Sequence, residues 1–489
     1  MENTEKELKN LRVGVLNNKL SLRKKKINNI IFKHRQLLNN ENYSINISHI
    51  IVKPEFKEKK FPCLKELFQF SSNIFKDKKS DINDIKYIIY LLKKEMIKYE
   101  LKEEINETSI LKDIVHVLNK FINEIIVVEE LLCLLINFTF FLQSKMYMDL
   151  LTNEYIKIYS DIYIRYFNDD IIFNDLIILF GNLVNDNPKA QNIFYTTKLY
   201  EQIYNLFLNQ INKNIKKDTL LFFLASFSIG ISNNKELIND KKIWNNLINL
   251  MSSNLIIAEY SKNCLISLGA LSEITNSVEY IIIKREIFDF IYENNNTEFY
   301  SSINKLLINL TCVDDKYNLF MIENYKSQIF SYLTKILNSP KNIIKGQGLF
   351  LLSNLMNDEP SQINEILKAD GFYDKIFENM NSLSINILDN VTFLINLMVD
   401  SSDKVAIFKL YQNNIHLKLL NILKITHDRG IIFKTIDAII GFLKKDTNDE
   451  IIKQSLLDNG IKEIFDNLEI NRNDAELYIK VEEFIKIFS

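Results

Sequence analysis

Residues 22–36 read LRKKKINNIIFKHRQ, and seven of these fifteen residues are Lys, Arg or His. After Leu22 come Arg23, Lys24, Lys25 and Lys26, and a second cluster follows at Lys33, His34 and Arg35. A block of this type makes charge-assisted hydrogen bonds to phosphates, to an anionic membrane surface, or to the carboxylates of a protein partner. The rest of the chain does not share its charge. Over 489 residues there are 60 Lys+Arg against 62 Asp+Glu, a formal charge of -2. That balance argues against direct nucleic-acid binding by the body of the protein. A membrane reading needs large apolar anchors opposite the charges. Ile30, Ile31 and Phe32 would have to serve, and no lipidation signal accompanies them.

The other residue types with chemical potential form no constellation. Cys63, Cys133, Cys264 and Cys312 are far apart, without a C-x-x-C pair, so neither a zinc site nor a disulfide framework is expected. Reduced, buried thiols in a cytosolic or nuclear protein are the simplest account. On that account the sequon Asn137-Phe-Thr139 has no meaning for glycosylation. The five histidines (34, 49, 116, 416 and 427) lack metal-ligand spacing. Glu129-Glu130 are adjacent helical carboxylates, and no Ser/His/Asp order, P-loop or dinucleotide fingerprint is present. The chain is expected to be no enzyme and to need no metal or cofactor. The charged N-terminus predicts no secretory signal. The apolar run LLCLLINFTFFL (131–142) is shorter than the roughly 20 residues that cross a bilayer.

The elements that position any site must be helices. Only 10 Gly and 5 Pro are available, too few for a chain of hairpins. One apolar stretch returns along the sequence: LLINFTFF, LFGNLVND, LASFSIGI, GALSEITN, LLINLTCV, LLSNLMND, FLINLMVD and IIGFLKKD. The residue after its first apolar cluster is Asn137, Asn182, Ser226, Glu273, Asn309, Asn354, Asn396 and Gly441 in turn. These marks recur at intervals of 36 to 47 residues. A loop, a short helix and a second apolar helix follow each mark, as in 199–211, 243–251 and 461–468. A period near 40–47 with two or three helices per unit is the armadillo/HEAT signature. One unit cannot bury its own apolar face, so neighbours stack. Extrapolation adds units at 85–96 and 475–488, about ten in all. The fold class is therefore all-α, a right-handed superhelix of armadillo repeats over 61–489. Residues 1–60 precede it as a flexible basic arm and linker. Gly371 and Gly460 are expected to end helices in the left-handed conformation.

A basic arm before ten armadillo repeats resembles the importin-alpha family. LRKKKINNIIFKHRQ aligns without gaps with that family's importin-beta-binding pattern, roughly ELRKxKKxxxxLKRRN. Leu22, Arg23, Lys24, Lys26, Lys33 and Arg35 match in kind, whereas Ile27 stands where a Lys is usual and His34 where an Arg is. The resemblance implies a nuclear import adaptor. Cargo proteins with basic localisation signals lie extended in the groove, importin-beta binds the arm, and an export receptor binds the C-terminal repeats. It also implies shuttling between cytoplasm and nucleus. Without importin-beta, Lys33-His34-Arg35 would occupy the cargo site, and a neutral His34 weakens that self-inhibition.

The family's groove carries a Trp-x-x-x-Asn ladder on the third helix of successive repeats. Asn amides hydrogen-bond both polar groups of an extended backbone, Trp faces flank lysine stems, and carboxylates take the ammonium heads. By resemblance the ladder maps to Asn137, Asn182, Ser226, Asn309, Asn354 and Asn396. Asp186 matches the acid of the major signal site. Lys305, Asp315 and Asp389 match the charged residues of the minor site. The Trp positions hold Cys133, Ile178, Phe222, Gly269, Lys305, Phe350 and Thr392. Only Phe222 and Phe350 there are aromatic, and the sole tryptophan, Trp244, belongs to a second helix and is expected in the core. This departure favours the minor-site half and keeps a second reading open: an armadillo scaffold outside transport that binds another extended peptide or protein.

Overall fold

The computed structural model describes residues 53–488 apart from 58, 60, 62, 78, 99–108, 142–147, 186, 210–215, 357–375, 383, 402–403, 446–448 and 468–474. The basic arm, Asp186 and Gly371 lie outside the described residues. Every regular element among the described residues is helical. The chain divides into two compact units between Asn233 and Asn234.

Ten third helices among the described residues are labelled here, and seven of them contain a mark. Unit 1 contains α1 (Ile82–Lys98), α2 (Ile125–Phe141), α3 (Asp170–Val184) and α4 (Lys217–Ile229). Unit 2 contains α5 (Ser261–Leu271), α6 (Tyr300–Thr311), α7 (Asn342–Met356), α8 (Ile385–Ser401), α9 (Arg429–Lys445) and α10 (Ala475–Phe488). Within each unit, consecutive third helices pack side by side. The two extrapolated repeats are present as α1 and α10. The architecture is that of armadillo repeats.

The inner third helices α2 and α3 are strongly apolar because each is covered by a third helix on both sides. On α2, Leu131, Leu132, Leu134, Leu135 and Phe138 are fully buried; on α3, Ile172, Phe173, Leu176, Leu179 and Phe180 are. Each such side chain contributes about 1.5–3 kcal/mol of transfer free energy. Helix starts are marked by side-chain caps. Thr152, Asp169, Asn187, Asp240 and Asp314 each accept from a backbone N–H in the first turn, and Pro188 occupies the first position after its cap. First and second helices are short and joined by tight turns. Lys198 makes one with φ 62° and Asn414 another with φ 55°. Gly460 has φ +82° before the helix Ile461–Asn467, as expected for a left-handed turn residue. In Asp315–Leu337 the two helices are continuous except for a kink at Tyr325, whose ring stacks on Phe288 at 3.8 Å. Trp244 is fully buried, edge-on to Tyr280, and its indole N–H donates to the Ile238 carbonyl.

The packed part of the chain begins ahead of residue 60. Pro54–Lys57 is a helical turn whose buried Phe56 meets the rings of Phe70 and Tyr87. Lys53 pairs with Asp84 at 2.6 Å. A single Phe in a polar stretch carries no periodicity, so this anchor was not legible as an element. Among the described residues, no helix is long and apolar enough to cross a membrane, and no group of His, Cys, Asp or Glu has metal-binding geometry.

Candidate functional site

The marked residues first act on the neighbouring repeat. Asn182 Nδ2 donates to Thr139 Oγ1 at 3.1 Å, and Asn354 Nδ2 donates to Thr311 Oγ1 at 3.1 Å. Asn309 Nδ2 donates to Ser272 Oγ and to the Gly269 carbonyl, both at 3.0 Å. In every case the accepting hydroxyl itself donates to the carbonyl three residues earlier: Thr139 to Ile136, Thr311 to Ile308, Ser272 to Gly269. The joint is thus a repeated pattern. A hydroxyl two residues past one mark receives the amide of the next.

This regularity corrects one mark. Ser272 occupies the place of Thr139 and Thr311, so the residue equivalent to Asn137 and Asn309 is Ala270, not Glu273. The same register appears in the glycines. A Cβ on Gly181, one before Asn182, would meet the Phe222 ring at 2.5 Å, and a Cβ on Gly269 would meet the Lys305 stem at 3.4 Å. Both partners stand four residues before the next mark. The position expected for a Trp equivalent at Gly269 therefore belongs to Ile266. Glu273 instead pairs with Lys305 at 3.1 Å.

The ladder asparagines are buried or half-buried. Asn182 and Asn354 are each 5% exposed, and Ser226 is buried. Asn137, Asn309 and Asn396 are half-buried. Among the described residues, Asn137 Nδ2 makes a weak contact with Cys133 Sγ at 3.8 Å. Asn396 Oδ1 is buried and accepts no hydrogen bond among the described residues. Asn182→Ala should cost about 1–2 kcal/mol, because Thr139 keeps its internal acceptor but loses the inter-repeat bond. Chemical denaturation of the full chain checks this.

Seven residues before a mark lies a column of which the sequence pattern singled out only Asp389. It holds Glu130, Asp175 and Asp389. In unit 1, Lys93 of α1 pairs with Glu130 of α2 at 2.5 Å. Glu129 and Asp175 are half-buried and make no hydrogen bond or ion pair among the described residues. Burial, then the charge of Glu129, pushes the Asp175 carboxyl up to about 7, against partial offsets from Lys93 and Lys216. Burial and Glu130 likewise raise Glu129, and burial raises the Cys133 thiol to about 11, which makes it inert. Neither α2 nor α3 contains a Lys or Arg. Three carboxylates on this face thus meet one paired lysine, Lys93, with Lys216 a further partial offset for Asp175. Phe222 lies half-buried across Gly181 on the next helix.

In unit 2 the acids are already matched. Asp389 pairs with Lys434, and Asp437 with Lys480. Asp315 is an exposed first-turn residue of its helix, and Phe350 is half-buried. The expectation that the minor-site half is the better kept therefore does not extend to an open Asp389. Lys434 stands seven before Gly441, in the same column, but its pairing with the preceding helix is set by the fold and leaves no local signal.

Comparison with protein-family models gives no match, and comparison with curated proteins gives none. Among solved structures, the chain is similar to an engineered protein from a structural genomics consortium, with 15% identity and a TM-score of 0.62. That likeness covers 86% of this chain and 98% of the other. A designed armadillo repeat protein in complex with the peptide (KR)4 matches 50% of this chain and 99% of its own at 15% identity and a TM-score of 0.42. A further designed armadillo repeat protein matches 49% and 98% at 12% identity, also with a TM-score of 0.42. At these identities the first likeness bears on the fold alone.

Proposed function

We propose that this chain is a peptide-binding armadillo adaptor whose third-helix face on α2 and α3 receives basic side chains of an extended peptide. The observation that carries this reading is Asp175: a half-buried carboxyl, raised toward 7, beside Glu129 and without a partner among the described residues. A buried carboxylate without a cation is costly, and an incoming ammonium or guanidinium relieves the cost. The finer proposal is a nuclear import adaptor. Its cargo would carry basic localisation signals, its arm at residues 22–36 would dock on importin-beta, and its C-terminal repeats would meet an export receptor as it shuttles between cytoplasm and nucleus. The support for that step is the ungapped basic arm ahead of the repeat array.

Pull-down with importin-beta tests it. Wild-type chain should be retained, and changing Arg23, Lys24 and Lys26 to Ala should abolish retention. Equal retention of both would sink the transport reading while leaving peptide binding intact. The second reading, a scaffold outside transport, draws on the missing tryptophans and on the acids of unit 2 that are already paired.

A further inference from the structure

Two lysines of unit 2 sit where lysines of a bound peptide would be fully satisfied. Asp389 and Phe393 lie one turn apart on α8. Between them rests Lys434 of α9, paired with Asp389 and 5.7 Å from the Phe393 ring centroid. The next repeat pairs the same residue types in the reverse order along its helix. Phe433 and Asp437 lie one turn apart on α9. Lys480 of α10 pairs with Asp437 and lies 5.8 Å from the Phe433 ring centroid, with Glu483 at 3.8 Å. The two lysine side chains are only 18% and 24% exposed. Each ammonium lies over an aromatic ring and on a carboxylate at once, two kinds of contact a lysine can use.

Nothing in the repeat fold requires these cations. The corresponding position on α7, seven before Asn354, is Gln347, and it accepts from Asn304 at 3.0 Å without any charge. Packed helices stand about 8–10 Å apart, and an extended chain advances about 3.3 Å per residue. Successive seats on α8 and α9 therefore match lysines about three residues apart in an extended peptide.

We propose that the α8–α9–α10 face is a site for a lysine-bearing extended peptide that this chain keeps closed with its own Lys434 and Lys480. The proposal rests on the peptide-binding reading but concerns a different unit from Asp175. Removing the two lysines opens the seats, so the change is a gain of binding.

The test is titration of a labelled twelve-residue peptide, with lysines every third residue, against the full chain at low salt. All proteins carry Asp175→Asn, which removes the unit 1 contribution. Lys434→Ala with Lys480→Ala should bind at least tenfold more tightly than its parent, and adding Asp389→Asn and Asp437→Asn should cancel the gain. Lys434→Met with Lys480→Met keeps a long apolar side chain in each seat and should gain no more than about twofold. Either single Ala variant, with one seat left intact, should show an intermediate gain and serves if the double variant does not fold. Absence of gain in a folded Ala variant overturns the proposal. So does an equal gain with Met, because net charge alone would then be at work. Failure of the unit 1 reading shows separately, as equal peptide binding by wild type and Asp175→Asn.

Discussion

Asp175→Asn should make the protein more stable and a poorer binder at once. The carboxyl ionises near pH 7 when folded and near its ordinary 3.8 when not, chiefly because of burial and then of Glu129. A raised folded value means that the folded state holds the proton more tightly. The stability this group lends is complete below about pH 4 and is lost as pH rises through 7. A rise from 3.8 to about 7 corresponds to about 4 kcal/mol. The side chain is only half-buried, and water screening reduces this to about 2 kcal/mol. At pH 7.5 the neutral amide escapes that cost, so Asp175→Asn should gain about 2 kcal/mol in urea unfolding, with the gain vanishing by pH 4. The same change removes the carboxylate that an incoming cation needs. A charge-assisted bond of about 1.5–3 kcal/mol predicts a loss of roughly tenfold or more in affinity for a basic peptide. Binding to wild type should also strengthen from pH 6 to 8, as the cation displaces the proton, and this slope should disappear in Asp175→Asn. A variant that loses affinity without gaining stability would place Asp175 in the frame of the fold and not in the site.

That opposition between stability and binding explains what the sequence could show. The repeat was legible because it is a packing pattern. Each third helix must be apolar on two sides, and a 45-residue recurrence of LLxN-type strings expresses that requirement directly. The asparagines were legible as a column, but their work was not. Asn137-Phe-Thr139 and Asn309-Leu-Thr311 read as an accidental sequon and a fragment of motif. In the fold both are halves of inter-repeat joints, in which the Thr accepts from the next Asn. Their partners lie 43 residues away, beyond any local pattern. The one misplaced mark, Glu273, fell where Ala270 had replaced the Asn and left no polar signal. The acids posed the opposite difficulty. Asp175 and Asp389 occupy the same column and read identically, but only the neighbouring helix decides whether a lysine reaches them. Lys434 does so for Asp389, and α2 and α4 place no such cation on Asp175.

Unit 2 should respond to acid in the opposite sense from Asp175, through His416. Its ring is 1% exposed at the start of the helix Ile415–Ile425. Nε2 shares a 3.1 Å hydrogen bond with Ser455 Oγ, and Tyr411 stacks on the ring at 5.0 Å. Nδ1 is buried without a partner among the described residues. Burial lowers the pKa from 6.5 to about 4. Because the folded value is the lower one, the unfolded chain takes the proton first. Stability is therefore unaffected above pH 6.5 and falls as pH drops from 6.5 to 4, by about 3 kcal/mol at the lower end. His416→Gln keeps one hydrogen-bonding group for Ser455 and cannot titrate. It should cost about 1 kcal/mol at pH 7.5 and exceed wild type at pH 4.5, so that the two unfolding curves cross. Other carboxylates also titrate in this window, and the difference between variant and wild type isolates the histidine. Amide exchange supplies the local reading, because stability in a repeat array is a sum of neighbouring terms. Between pH 7 and 5, protection of residues 415–425 should decline relative to His416→Gln. Over the same interval, protection of residues 170–184 should rise relative to Asp175→Asn. Two helices of one fold, moving in opposite directions with pH, would locate one neutral-only histidine and one carboxyl held ready for a cation.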